Sequence, residues 1–138
     1  MSLFVLDASV ALCWCLDGQE TEYTAGVLGA LETDACSAPA LWSLEVANVL
    51  SLAQRRSKVA PETVDVLLGG LLELPIHIDS AAAKHIFQNV APLARRLGIT
   101  VYDACYLELA LRTGLPLATV DAQLAKAAKE VRVKRFEP

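Results

Sequence analysis

Aromatic side chains make up only 6% of this chain, and it carries just two histidines and four cysteines. Leu, Ala and Val must therefore build its core. His77 and His85 are too few to complete a zinc site. Cys13, Cys15, Cys36 and Cys105 contain no C-x-x-C pair, and residues two apart on a helix do not face each other. The thiols are read as buried and reduced. No segment reaches the roughly 18 apolar residues of a membrane span. The opening LFVLDASVALCWCL has an acid in its middle and no basic residue before it, so it does not read as a signal peptide. The expected location is the cytoplasm. Nucleotide-binding and hydrolase signatures are missing too: there is no G-x-G-x-x-G, no P-loop and no G-x-S-x-G. The net charge is −4, so the chain as a whole does not look like a nucleic-acid binder. Any such binding would fall to local clusters: Arg55, Arg56 and Lys58; Arg95 and Arg96; Lys126 and Lys129; Arg132, Lys134 and Arg135. Their ordinary reading is a solvated face.

What is present is a dense apolar pattern. At 138 residues and 54% hydrophobic content, the chain is expected to form one domain, residues 1–138, with a real core. Leu3 to Leu6 reads as a buried strand and Ser9 to Leu16 as a helix. Residues 20–34 form a weaker helix, softened by Gly26 and Gly29. Ala35 to Ala38 is a second short strand, closed by Pro39. Ser43 to Arg56 is an amphipathic helix, and Pro61 opens another that runs to about Leu72. Ile76 to Ile78 is a brief strand. Asp79 or Ser80 then caps a helical stretch to Leu97, which Pro92 should interrupt with a kink or split into two abutting helices. Tyr102 to Arg112 is helical, Leu117 to Thr119 a strand, Ala122 to Lys129 a helix and Val131 to Val133 a last strand. Short strands alternating with helices predict an α/β fold, a three-layer α/β/α sandwich around a mainly parallel sheet.

Four acids sit where apolar runs meet helices: Asp7, Glu45, Asp103 and Asp121, in LFVLDAS, LWSLEVANVL, ITVYDACYLELA and LATVDAQLA. Taken singly, each has a plain explanation. Asp and Glu favour first helical turns, Thr100-x-x-Asp103 loosely fits a capping box, Asp121 fits an N-cap, and Glu45 fits a first-turn glutamate. Taken together, they fall at the carboxyl edge of a parallel sheet, where such folds bind ligands. Carboxylates crowded in apolar surroundings repel one another unless a cation joins them. Oxygen-only donors suit Mg²⁺ or Mn²⁺, whose usual substrates are phosphoryl or phosphodiester groups. Ser9 and Thr119 are read either as caps or as hydroxyls that hold a metal-binding carboxylate. Asn48, three residues after Glu45, either orients it or touches substrate. Glu108 lies about 140° around the helix from Asp103 and is assigned to a solvated face. Asp17, Glu20, Glu22, Glu32 and Asp34 are surface residues by default.

The strings VLDASV, PALWSLEVANVL, YDACYLELA and LATVDAQL together resemble the PIN-domain proteins, and among them the VapC-type toxins of toxin–antitoxin pairs. The resemblance spans essentially the whole chain. It implies a Mg²⁺- or Mn²⁺-dependent endoribonuclease that hydrolyses RNA phosphodiesters with a metal-activated water. Asp7, Glu45, Asp103 and Asp121 match the family's acidic quartet, with Asp7 and Asp103 closest to the metal. Ser9 and Thr119 match its small hydroxyl positions. It further implies a small antitoxin partner, expected to place a basic residue in the acidic site, and a homodimer, for which the apolar helices at 43–56 and 61–72 provide surface. Two other classes compete: a catalytically silent PIN-like interaction module, and a different metal-dependent phosphoryl-transfer enzyme. The second would usually carry a D-x-D pair, which Asp7-Ala8-Ser9 lacks.

Overall fold

A computed structural model describes residues 2–138. β1 (Ser2–Leu6) enters the centre of a four-stranded sheet, flanked by β2 (Ala35–Pro39) and β4 (Leu117–Ala118), with β3 (Ile76–Asp79) outside β2. All the pairings are parallel. Phe4, Val5 and Leu6 are wholly buried, as a strand covered on both faces requires.

The helices are α1 (Ala8–Cys15), α2 (Glu22–Ala30), α3 (Leu41–Arg55), α4 (Pro61–Leu72), α5 (Ala83–His85), α6 (Ala91–Leu97), α7 (Val101–Thr113) and α8 (Ala122–Glu130). α7 packs across β1, β2 and β4, while α3 lies against α1 and α4. The core is aliphatic: Val10, Val27, Val46, Leu50, Leu107 and Leu124 are all buried. Each deleted core methylene in such packing costs about 1 kcal/mol. Trp14 ties α1 to α2 by donating to the Thr24 carbonyl at 2.7 Å. No helix among the described residues is long and apolar enough to cross a membrane.

The α/β/α architecture agrees with the sequence reading, and four local expectations change. First, α3 begins at Leu41, two residues earlier than its pattern suggested, so Glu45 is its fifth residue and lies beyond the first turn. Second, neither Asp79 nor Ser80 caps the next helix. Asp79 ends β3, and the helix starts after Ala82. Third, the irregularity expected at Pro92 appears as a π-helical turn over Ile86–Val90, just ahead of the proline. Proline lacks the N–H that would continue the α-helical ladder, and the wider turn absorbs the mismatch.

Fourth, Val131 to Val133 is not a strand. Arg132 takes a left-handed φ of 63° and turns the chain out of α8. The tail becomes extended only after that turn, and it meets β4 through a single parallel bridge, Leu117 to Arg135. Leu117 N–H donates to the Lys134 carbonyl and Phe136 N–H to the Leu117 carbonyl, both at 2.9 Å. Phe136 then stacks on Phe4 at 4.1 Å, and the Tyr23 hydroxyl donates to its carbonyl, fixing the tail. All four thiols are free. Cys13 and Cys36 are buried, whereas Cys15 and Cys105 are only half-buried, so the burial expectation fails for those two.

Candidate active site

Parallel register sets the site. Leu6 pairs with Ala118, so the next residues, Asp7 and Thr119, emerge side by side at the carboxyl edge. Asp7 is 5% exposed and occupies the N-cap position of α1, yet its side chain makes no capping bond. Its Oδ2 instead accepts the hydroxyls of Ser9 and of Thr119, the latter at 2.7 Å. Both hydroxyl protons are committed. Ser9 Oγ already accepts the Val120 N–H, and Thr119 Oγ1 the Asp121 N–H. Each oxygen therefore turns its own proton to Asp7. Oδ1 takes neither bond. The sequence suggested capping or carboxylate support for Ser9 and Thr119, and both support Asp7.

Glu45 projects from the second turn of α3, so first-turn capping does not account for it. Its Oε1 accepts the Tyr106 hydroxyl at 2.6 Å. Tyr106 is completely buried on α7, one turn after Asp103. The sequence reading gave it no role, although the YDACY string contained the signal: residues three apart share a helix face. Asp103 lies in the first turn of α7. Thr100 Oγ1 accepts the Asp103 N–H at 3.0 Å, so the cap is the threonine, and the Asp103 carboxylate has no hydrogen bond among the described residues. Asp121 is exposed and caps α8, with Oδ1 accepting the Leu124 N–H at 3.0 Å. Here the plain explanation, an N-cap, holds. Asn48 is exposed on α3.

The carboxylates feel one another. Burial raises the pKa of Asp7, Ser9 and Thr119 partly offset that, and the charge of Asp121 adds to it. Burial also raises Glu45, against the Tyr106 hydrogen bond, and the charges of Asp7 and Asp103 push it further. Asp103 is raised by burial, then by Asp121 and Asp7. Among the described residues, none of the four carboxylates is in an ion pair. The edge is a concentration of negative charge with no protein cation to balance it.

Glu108 is outside this group, as its helical phase required, but it is not on a solvated face. It contacts His85 and Arg112, both at 2.9 Å. Arg112 also forks onto Asp79, at 2.7 and 3.3 Å. Its side chain is only 12% exposed.

The sequence matches the PIN domain family over residues 4–130. The chain belongs to the PIN-domain family. Among its relatives is Ribonuclease VapC3 of Mycobacterium tuberculosis, 31% identical over 125 residues that cover 89% of this chain and 85% of that protein. Ribonuclease VapC3 of Pyrobaculum aerophilum is 34% identical over 86 residues, 62% of this chain and 66% of that protein. Solved structures share the fold. VapC20 of Mycobacterium tuberculosis, a Sarcin-Ricin loop cleaving toxin, superposes with a TM-score of 0.68 at 15% identity, covering 98% of this chain and 99% of that one. VapBC2 of Rickettsia felis, solved with a DNA fragment from its promoter, gives 0.68 at 13% identity, with 97% and 96% covered.

Proposed function

We propose that this PIN domain is a Mg²⁺- or Mn²⁺-dependent endoribonuclease and the toxin of a toxin–antitoxin pair. The observation that carries the reading is the unbalanced carboxylate cluster: four acids at one sheet edge lie near enough to raise one another's pKa, and none has an ion-pair partner among the described residues. The likeness to ribonucleases of the VapC type supplies the substrate class.

The donor set fits a hard divalent ion. All four groups offer oxygen, and their mutual repulsion is relieved by a cation. No three acidic, His or Cys side chains among the described residues converge as a ready-made cage. Mg²⁺ keeps several waters and needs only one or two carboxylates. Asp7 and Asp103 would hold the ion most directly, and Glu45 and Asp121 would act through water or at a second ion. When bound, a divalent ion acidifies water and offsets charge on the phosphate.

The protein's part is positioning. Ser9 and Thr119 fix the Asp7 rotamer and leave Oδ1 for the ion. Tyr106 fixes Glu45 and, by donating to its carboxylate, opposes the rise in pKa that burial causes. Asp121, already holding α8 in place through Oδ1, adds its charge to the same edge, where Asp7 and Asp103 feel it. No side-chain nucleophile is required.

An antitoxin partner follows from the likeness to VapC and VapBC proteins. A groove of about 630 Å³ between the ends of α1, α3 and α4 offers a seat for an amphipathic partner helix, with Leu16, Val49, Leu52 and Val59 as its apolar wall and Asp17, Arg56 and Lys58 as charged lining. An Arg or Lys from that partner would fork onto the Asp7–Asp103 carboxylates and silence them. Leu44, Val66 and Leu72 are 73%, 73% and 85% exposed, which supports a homodimer. RNA cleavage with Mn²⁺ and with chelator is the test. Cleavage only with the metal, lost in Asp7→Asn, is expected. Mn²⁺ binding without cleavage of any RNA would make the chain a silent binding module.

A further inference from the structure

A hollow of about 550 Å³ opens beside the acidic edge, between the end of β4, the last turns of α8 and the tail. Its floor is aliphatic, with Leu117, Ala128 and Val133, and Thr119 closes one end. That threonine is the one whose hydroxyl donates to Asp7. The hollow and the reacting edge therefore share a wall. Lys129, Arg132 and Lys134 line it as well, together with Arg135 and one acid, Glu137. Among the described residues Lys129, Arg132 and Lys134 are in no ion pair, whereas Arg135 covers the Tyr23 ring and pairs with Glu137.

Two facts argue against an idle solvated face. Residues 129–135 hold four of the chain's twelve Lys and Arg, in a protein of net charge −4. Arg132 also occupies the left-handed position just past α8, with φ 63°. Glycine is the usual residue there, because a Cβ in that conformation costs conformational energy. Here a cation stands at a place where a side chain is a liability, and it faces the hollow.

Resting on the ribonuclease reading, we infer that this hollow seats the RNA stretch flanking the scissile phosphate, its apolar floor taking the face of a base and Lys129, Arg132 and Lys134 taking phosphates. The acidic quartet repels a polyanion, so cations must hold the strand beside it. The cavity has the size of a small-ligand pocket, ample for one nucleotide. An aliphatic floor with point cations gives backbone holding and little base readout.

The test is binding of a short fluorescein-labelled single-stranded RNA of mixed sequence, in chelator so that nothing is cut. Arg132→Gly suits the left-handed turn, so its melting temperature should hold or rise. Its RNA affinity should fall roughly three- to tenfold, and the slope of log affinity against log salt should drop by about 0.7, one phosphate's worth. Lys129→Gln with Lys134→Gln should weaken binding further, while Arg95→Gln, outside the hollow, should leave it unchanged. Unchanged affinity in the hollow variants would overturn the inference, and cleavage by the unaltered protein would leave the ribonuclease reading standing. Failure of the unaltered protein both to bind and to cut RNA would remove both. Polyglutamate binding that depends on Arg132, without RNA binding, would identify a protein ligand and overturn the RNA assignment.

Discussion

Two charged clusters share helix α7, and they have opposite characters. At its start Asp103 joins Asp7, Glu45 and Asp121, four acids with no cation. Further along, Glu108 joins Asp79, His85 and Arg112, where every acid has a partner within 3.0 Å. The second cluster is complete within the chain and locks β3 and the π-turn segment onto α7. The first is complete only with something from outside. Proximity of acids is common to both; the missing counter-charge separates a candidate site from a brace.

The sharpest way to break this comparison is at Asp7. Asp7→Asn should lower RNA cleavage by about two orders of magnitude or more, because a site with few protein ligands loses a charged oxygen. Mn²⁺ titration calorimetry on the same variant should show no binding. Retained binding and activity would place the metal elsewhere.

Tyr106→Phe tests positioning. The hydroxyl lowers the pKa of Glu45 by donating to its carboxylate, so its loss should raise that pKa. The acid limb of the pH–rate profile should move to higher pH, and activity should fall about tenfold near neutrality. A uniform drop with an unmoved limb would mean that only packing was lost.

Glu108→Gln should act on stability alone. It strips Arg112 and His85 of a half-buried partner and should lower the melting temperature by about 4 °C, with Mn²⁺ affinity unchanged. Loss of metal binding would merge the two clusters into one.

Asp103→Asn should do the reverse in chelator, raising the melting temperature by about 2 °C as repulsion is relieved. Thr100 caps the helix, so the substitution removes no capping bond. The sign of the pH dependence follows. Asp7, Glu45 and Asp103 bind protons more tightly folded than unfolded, so metal-free stability falls as pH rises from the ordinary carboxylate range through their raised values. Thermal melts across that window, with and without Mn²⁺, should show the fall only without metal. A melting temperature that drops in Asp103→Asn would make the carboxylate a structural support.

Much of this protein was legible in its sequence. The alternation of apolar runs and helices determined a parallel α/β sheet, because buried strands and amphipathic helices have different periods. The LFVLDAS and YDACYLELA strings put acids at strand ends and helix starts, and that is enough to place them on one sheet edge. Local pattern could not determine which acids act as caps. Asp121 caps a helix and Asp7 does not, though both occupy N-cap positions, because the fold brings Thr119, 112 residues away, to the Asp7 oxygen that the neighbouring Ser9 also holds. Nor could it show that Tyr106 holds Glu45, that Glu108 is paired, or that the tail turns at Arg132 before it reaches β4. Periodicity reports which face of an element is apolar. Partners far apart in the chain are chosen by packing, and the tertiary structure alone decided which charges were left without one.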